Sequence, residues 1–370
     1  MKGRPLSLVV GAVLAALVAY LVSQNRAPDT RLASEESLVP GLAEGLNEVS
    51  RLVITGPGDR VKVSLSRGDD RWTVDERGGY VADTAKIRSL LIDLGDARLL
   101  EQKTSREENY AALGVQAIDA DDAGGVQVLL EGLDGAPAVI IGKPARNAGS
   151  VYVRRADEAT SWATNKRLRV EQDPAQWLVK DIVDIRPARI QSVRIEHPDG
   201  EVFEATRGEV NFTVANVPED AELTSPSAAN ALADVFSKLK FEDVRPASEF
   251  APGDAPSTEA TFVTSDGLSL GATVTASEGK YFLSLKAAAV PVDPATLPVD
   301  EADGEDATAV PPTPEQKAAA MLEAMAAQSA TINARTEGWV FTIPLFKYEQ
   351  LTRRVGDLVS TTEDSDLGPT

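Results

Sequence analysis

The chain has 370 residues, of which 43% are hydrophobic and 25% charged, an ordinary globular balance with apolar content for two cores. A formal net charge of −20 excludes the clustered Lys and Arg that nucleic-acid binding needs, and it disfavours lying flat on an anionic lipid surface. The absence of cysteine excludes disulfides, thiolate nucleophiles, Cys-ligated metals and an acylated lipoprotein anchor.

The first predicted element is apolar. "MKGRPLSLVVGAVLAALVAYLVSQNRAPD" opens with Lys2 and Arg4 and then runs from Leu6 to Val22 without a charge, the short end of a bilayer span. A cleaved signal peptide opens the same way. The run is long for such a peptide and no clear A-x-A site follows, so residues 1–25 read as a cytoplasmic stub and uncleaved transmembrane anchor. Lys2, Arg4 and the amino terminus outweigh Arg26, which keeps the N-terminus cytoplasmic and the bulk of the chain periplasmic or otherwise extracytoplasmic. Residues 6–22 thereby take the lipid bilayer as a partner. Ser7, Gly11, Ala15 and Ala19 recur every four residues, a small-residue face against which another membrane helix can pack, although such residues are common in spans generally.

Residues 26–47 read as a linker. Beyond it the chain is one unit written twice. "RLVITGPGDRVKVSLSRGDDRWTV" (51–74) and "SVRIEHPDGEVFEATRGEVNFTV" (192–214) share an alternating strand, a turn, a second alternating strand, a polar turn and an aromatic-Thr-Val ending. "DTAKIRSLLIDLGDAR" (83–98) aligns with "SPSAANALADVFSKLKFEDVR" (225–245), each predicted as a capped helix. Their buried stripes would be Ile87, Leu90, Leu91 and Leu94 in one copy and Leu232, Val235, Phe236 and Leu239 in the other. "VQVLLEGLDG" (126–135) matches "ATFVTSDG" (260–267), Tyr152 matches Phe282, and Trp162 matches Trp339. The widening offset marks an acidic, Pro- and Ala-rich insertion over 287–336, predicted as a disordered loop leading into an amphipathic helix from Glu315 to about Gln328. The expected lobes are 48–186 and 187–362, joined near 184–189, with a disordered tail at 363–370.

The repeat bears on His197, the single histidine. It falls in "IEHPDG" (195–200), where the other copy builds the same hairpin turn from "ITGPGD" without an imidazole, so it reads as a turn residue. No G-x-S-x-G elbow presents a serine, and one imidazole does not make a histidine metal site. In "DADDAGG" (119–125), Asp119, Asp121 and Gly124 sit at EF-hand positions one, three and six. Ala123 and Leu130 stand where further ligands are required, which leaves a solvated acidic turn. "GAPAVIIGK" (135–143) has the wrong glycine spacing for a phosphate loop and reads as a buried strand. Carboxylate pairs for glycoside hydrolysis remain open among 57 acids.

Several motifs carry a family resemblance: the apolar leader, "LVPGL" (38–42), "VSRLVI" (49–54), Trp72, Thr104 with "YAALGV" (110–115), "VIIGK" (139–143), "VYVR" (151–154), and Trp177 with Asp181 and Ile182. On these the chain resembles the bacterial membrane-anchored family catalogued as domain of unknown function 4340. That resemblance implies an accessory envelope role beside gliding-motility-type ABC-transporter components, with no catalytic residues and no cofactor to carry over. Tyr110 and Leu113 before Gly114 resemble a short helix with a glycine cap, and Trp177 is expected to plug the end of the first lobe's core.

The expected fold is therefore α+β: a transmembrane helix followed by two tandem lobes, each a twisted, mainly antiparallel sheet with a covering helix. The expected function is a non-catalytic binding or accessory protein with transporter membrane subunits as partners and no metal or cofactor. The alternatives are an envelope polysaccharide hydrolase using a carboxylate pair and a ligand-free structural spacer.

Overall fold

A computed structural model describes residues 36–146, 149–297 and 312–361. They divide into two compact units at Trp177/Leu178, upstream of the expected 184–189 joint, and the second unit also counts Arg77–Tyr80 among its residues. The fold is mostly antiparallel sheet with few helices. Among the described residues no helix is long and apolar enough to cross a membrane. Residues 6–22, with Ser7, Gly11, Ala15 and Ala19, lie outside the described residues, as do the tail at 363–370 and most of the acidic loop.

The first unit is built on nine strands: β1 (Arg51–Gly56), β2 (Arg60–Arg67), β3 (Trp72–Val74), β4 (Tyr80–Val81), β5 (Leu99–Gln102), β6 (Val126–Glu131), β7 (Val139–Pro144), β8 (Val151–Arg155) and β9 (Ser161–Thr164). Their order in the sheet is β4-β3-β2-β1-β6-β7-β8-β9-β5. Helix α1 (Thr84–Asp96) starts where the Asp83 carboxylate accepts from the Lys86 amide at 3.1 Å, and it buries Ile87, Leu90, Leu91 and Leu94 along one stripe as its spacing predicts. Residues 36–47, expected to be linker, belong to this unit. Leu38, Val39 and Leu42 are buried, the Leu38 amide donates to Ala97 and the Leu99 amide donates to Glu36. Three large aliphatic side chains cannot stay in water when a core is at hand.

The second unit uses β10 (Asp181–Val183), β11 (Ile190–Glu196), β12 (Val202–Arg207), β13 (Phe212–Val214), β14 (Ala221–Leu223), β15 (Leu239–Lys240), β16 (Asp243–Pro246), β17 (Ser257–Thr264), β18 (Leu268–Ser277), β19 (Lys280–Ala289), β20 (Trp339–Ile343) and β21 (Val359–Thr361). Its main sheet runs β13-β12-β11-β17-β18-β19-β20-β16, which repeats the sequence β3-β2-β1-β6-β7-β8-β9-β5 of the first sheet strand for strand. Registers repeat too. Leu52 lies between Leu65 and Leu130 as Val193 lies between Ala205 and Phe262. Ile141 faces Val153 as Val274 faces Leu283, and Arg67 faces Trp72 as Arg207 faces Phe212. One alignment needs correcting: Trp162 faces Val153 while Phe341 faces Leu283, so Trp162 corresponds to Phe341 and not to Trp339.

The capped α-helix expected over 225–245 is absent. The chain there makes successive tight turns with amide-to-carbonyl bonds three residues apart, including a 3-10 stretch at Asn230–Asp234, before β15 and β16. Leu232, Val235, Phe236 and Leu239 are nevertheless buried. The carbonyls that an α-helix would use internally are engaged elsewhere. Lys347 on α4 (Leu345–Leu351) donates to those of Asp234 and Val235, both at 2.8 Å, and Gln350 donates to that of Ala231 at 3.0 Å. Burial holds the Lys347 ammonium below its ordinary pKa.

The principal helix of this unit is instead α3 (Pro314–Thr336), opened by a reciprocal capping box between Thr313 and Gln316 and packed on β19. It extends the expected helix by two turns and more at its C-terminal end. The insertion also starts later than 287, because Ala287 is still paired with Leu270 inside β19.

Candidate functional site

The motif residues of the first unit converge on strand β8. Its last two residues, Arg154 and Arg155, point to opposite sides of the pleat and both are buried. Arg154 donates to the carbonyls of Val115 (2.9 Å), Ala156 (3.0 Å) and Glu158 (3.0 Å), and its guanidinium lies 4.8 Å from the centre of the Tyr110 ring. The Tyr110 hydroxyl in turn donates to the carbonyl of Ala159. Tyr110, Val115 and Ile140 form one buried cluster, flanked by Leu113 and Tyr152.

This packing demands glycine. Helix α2 (Tyr110–Leu113) ends at Gly114, whose φ of +71° is the left-handed cap expected for it. The turn rests directly on the strands: a Cβ on Gly142 would meet the Leu113 oxygen at 2.4 Å, and one on Gly125 would meet the Gly114 oxygen at 2.4 Å. Lys143, the lysine of "VIIGK", donates to the carbonyls of Ala111 (2.9 Å) and Ala112 (3.5 Å) at the end of α2. Its ammonium is spent on a helix end.

On the opposite side, Arg155 donates to the carbonyls of Leu38 (3.1 Å) and Ser37 (2.7 Å) and pairs with Glu158 (2.8 Å) and Glu36 (2.7 Å). Burial alone pushes its pKa down, but the hydrogen bonds it donates to Glu158 and Glu36 more than offset this and leave it raised. In the sequence reading "VYVR" serves only as a matching motif, and neither arginine is assigned a role. The available signal was two adjacent arginines at the end of an otherwise half-buried strand.

The other residues singled out from the sequence are equally engaged in structure. His197 is buried in the β11–β12 turn, with its amide donating to Glu201 and its Nε2 3.3 Å from the Arg353 carbonyl oxygen. Asp121 pairs with Arg60 at 2.9 Å on the surface, and the described residues contain no acid or histidine group able to hold a metal ion. Trp177 is 1% exposed and its indole N–H donates to the Glu171 carbonyl at 3.0 Å. Val139–Ile141 are buried in β7.

Among the described residues, the cavities within the units include three of note. One of about 290 Å³ in the first unit is walled by Pro57, Gly124, Gly125, Gly142 and Leu168. In the second unit, one of about 540 Å³ lies beside Thr264, Asp266, Val290, Leu297 and Met321. Asp266 is clasped there by Arg189 (2.9 Å), which also reaches Gln328 on α3 at 3.0 Å. Burial tends to raise the Asp266 pKa, but the Thr264 hydroxyl and Arg189 outweigh it and hold the carboxyl below its usual range. A third cavity, of about 290 Å³, is lined by Thr273, Ser284, Lys286, Glu337 and Trp339. Only one acid lines each second-unit cavity and none lines that of the first unit.

Compared with known proteins, residues 72–260, just over half of the chain, match a family model described as Domain of unknown function (DUF4340). No curated protein and no solved structure matches the chain.

Proposed function

The chain belongs to the family Domain of unknown function (DUF4340), and we propose that it is a non-catalytic, membrane-anchored accessory protein that docks on the membrane subunits of an ABC-type transporter. In this reading residues 6–22 span the inner membrane with the N-terminus cytoplasmic. Two tandem copies of one lobe, the second carrying an insertion, then lie on the extracytoplasmic side.

What carries the reading is the use made of the motif residues. Arg154, Lys143 and Tyr110 of the motifs, and Arg155 beside them, all donate to main-chain carbonyls. None of the four lines a cavity named above, where a catalytic group would stand. The polysaccharide-hydrolase alternative needs two carboxylates in one concavity, whereas each of the three cavities offers at most one. A ligand-free spacer has no use for cavities of this size. The Arg155 clasp on residues 36–38 adds a geometric limit. Residues 23–35 would join the span to the first unit, and thirteen residues reach at most about 45 Å, which keeps that unit close to the bilayer.

The test is chemical crosslinking in intact cells followed by purification of the full chain from detergent at native expression. Recovery of transporter membrane subunits is expected. Purification of the chain alone, under crosslinking that captures known membrane complexes, would refute the docking.

A further inference from the structure

We propose that the cavity at the C-terminal end of α3 binds a small zwitterion, its ammonium held by Glu337 and Thr273 and its carboxylate held by Lys286. The cavity is about 290 Å³, the volume of a single small metabolite, and its walls come from β18, β19, β20 and the end of α3. This inference is independent of the docking role proposed above.

Two full charges of opposite sign line this one hollow. Lys286 and Glu337 are both exposed, and neither is ion-paired among the described residues, with each other or with anything else. Elsewhere in this unit the lining charge of a cavity is neutralised, as Asp266 is by Arg189. Opposite charges that share a small cavity without meeting are complementary to a ligand that carries both.

The remaining walls discriminate between the two ends. The Thr273 hydroxyl donates its hydrogen to the Glu259 carboxylate (3.1 Å to each oxygen), so toward the cavity it has only lone pairs to offer, which suits an ammonium. The carbonyl end of a 23-residue helix adds partial negative charge at the same place. Ser284 supplies a hydroxyl and, being small, leaves the space open.

The register of the sheets explains why the cavity exists in this unit. Position 284 in β19 corresponds to Arg154 in β8, and Thr273 in β18 corresponds to Ile140 in β7. In the first unit those positions are filled by a guanidinium and an isoleucine under the Tyr110 ring. Here they carry two small hydroxyl side chains.

The experiment is isothermal titration of the full chain in detergent with L-leucine and with glycine betaine, zwitterions that differ in whether the ammonium can donate hydrogen bonds. Leucinamide and N-acetylleucine, which keep one charge each, are the controls. At least one zwitterion is expected to bind. Its single-charge analogue, and the variants Lys286→Gln and Glu337→Gln, are each expected to weaken binding about tenfold, which corresponds to about 1.4 kcal/mol. Preference for leucine would show that Glu337 and Thr273 accept hydrogen bonds from the ammonium, and preference for betaine would show that charge alone holds it. Ser284→Arg should abolish binding with the melting transition retained. Absence of binding by both zwitterions at millimolar concentration would overturn the proposal. Equal binding of the single-charge analogues, or indifference to both charge-removing variants, would also overturn it.

Discussion

Strands β7 and β8 of the first unit and β18 and β19 of the second have the same neighbours and the same register, yet one face of the pair is sealed in the first and open in the second. In the first, Arg154 and Ile140 lie under α2 and its glycine-capped turn, and the Arg154 guanidinium and Tyr110 hydroxyl donate to main-chain carbonyls. In the second, Ser284 and Thr273 leave a cavity beside α3. A ladder of backbone hydrogen bonds does not determine whether a sheet face becomes core or site. The size of two side chains and the identity of the covering segment determine it.

The comparison can be tested most severely at Arg154. Replacing it by Met removes the donors to three carbonyls, and unfolding in urea should show a loss of about 3–4 kcal/mol, whereas Ser284→Ala at the matching position should change stability by less than about 0.5 kcal/mol. Similar losses at the two positions would mean that the faces are not built differently. Gly142→Ala comes next. The added Cβ would lie 2.4 Å from the Leu113 oxygen and 2.8 Å from that of Gly114, both of them backbone, with an expected loss of about 2–3 kcal/mol. The second unit carries Thr275 at the same register and accepts the side chain, so Thr275→Ala should cost only about 1 kcal/mol.

A pH titration probes the aromatic cluster of the second unit. Burial pushes the Tyr80 hydroxyl up to about 12 from its ordinary 10, with Arg335 opposing the shift. Because the folded value is the higher one, stability is complete below about pH 10 and falls as pH rises through about 12, by about 2 kcal/mol. Guanidinium melts at pH 9 and 11 should show the loss, and Tyr80→Phe should remove it. The smallest effects concern the two segments expected to be matching helices. Asp83→Ala removes the cap of α1, and Asn230→Ala removes the acceptor that meets the Phe212 amide at 3.0 Å, each costing about 1 kcal/mol in thermal melts.

Strands and their pairing were legible because alternation and turn chemistry are local, and the offsets between Leu52 and Val193 or Trp72 and Phe212 carried straight into register. Helix α1 was legible for the same reason. The 225–238 segment was not, because its apolar spacing is that of a helix, while the partners of its carbonyls, Lys347 and Gln350, lie more than a hundred residues away. Leu38 and Leu42 looked like linker because nothing nearby announces Arg155 as the residue that holds the segment down. The zwitterion cavity was invisible for a further reason. Lys286 and Glu337 stand on opposite sides of the insertion, and only the return of α3 to β19, fixed by Asn333 on both backbone groups of Ala287, brings them together.

The Arg155 clasp has a mechanical consequence. Residues 36–38 are bonded to the end of β8, the third strand from the β5 edge of its sheet, to Ala97 and to Leu99 in β5 itself. In the membrane-anchored reading proposed above, tension applied through the leader loads a buried guanidinium and several backbone bonds at once. A tether fastened in this manner resists being pulled out and passes strain on to the sheet.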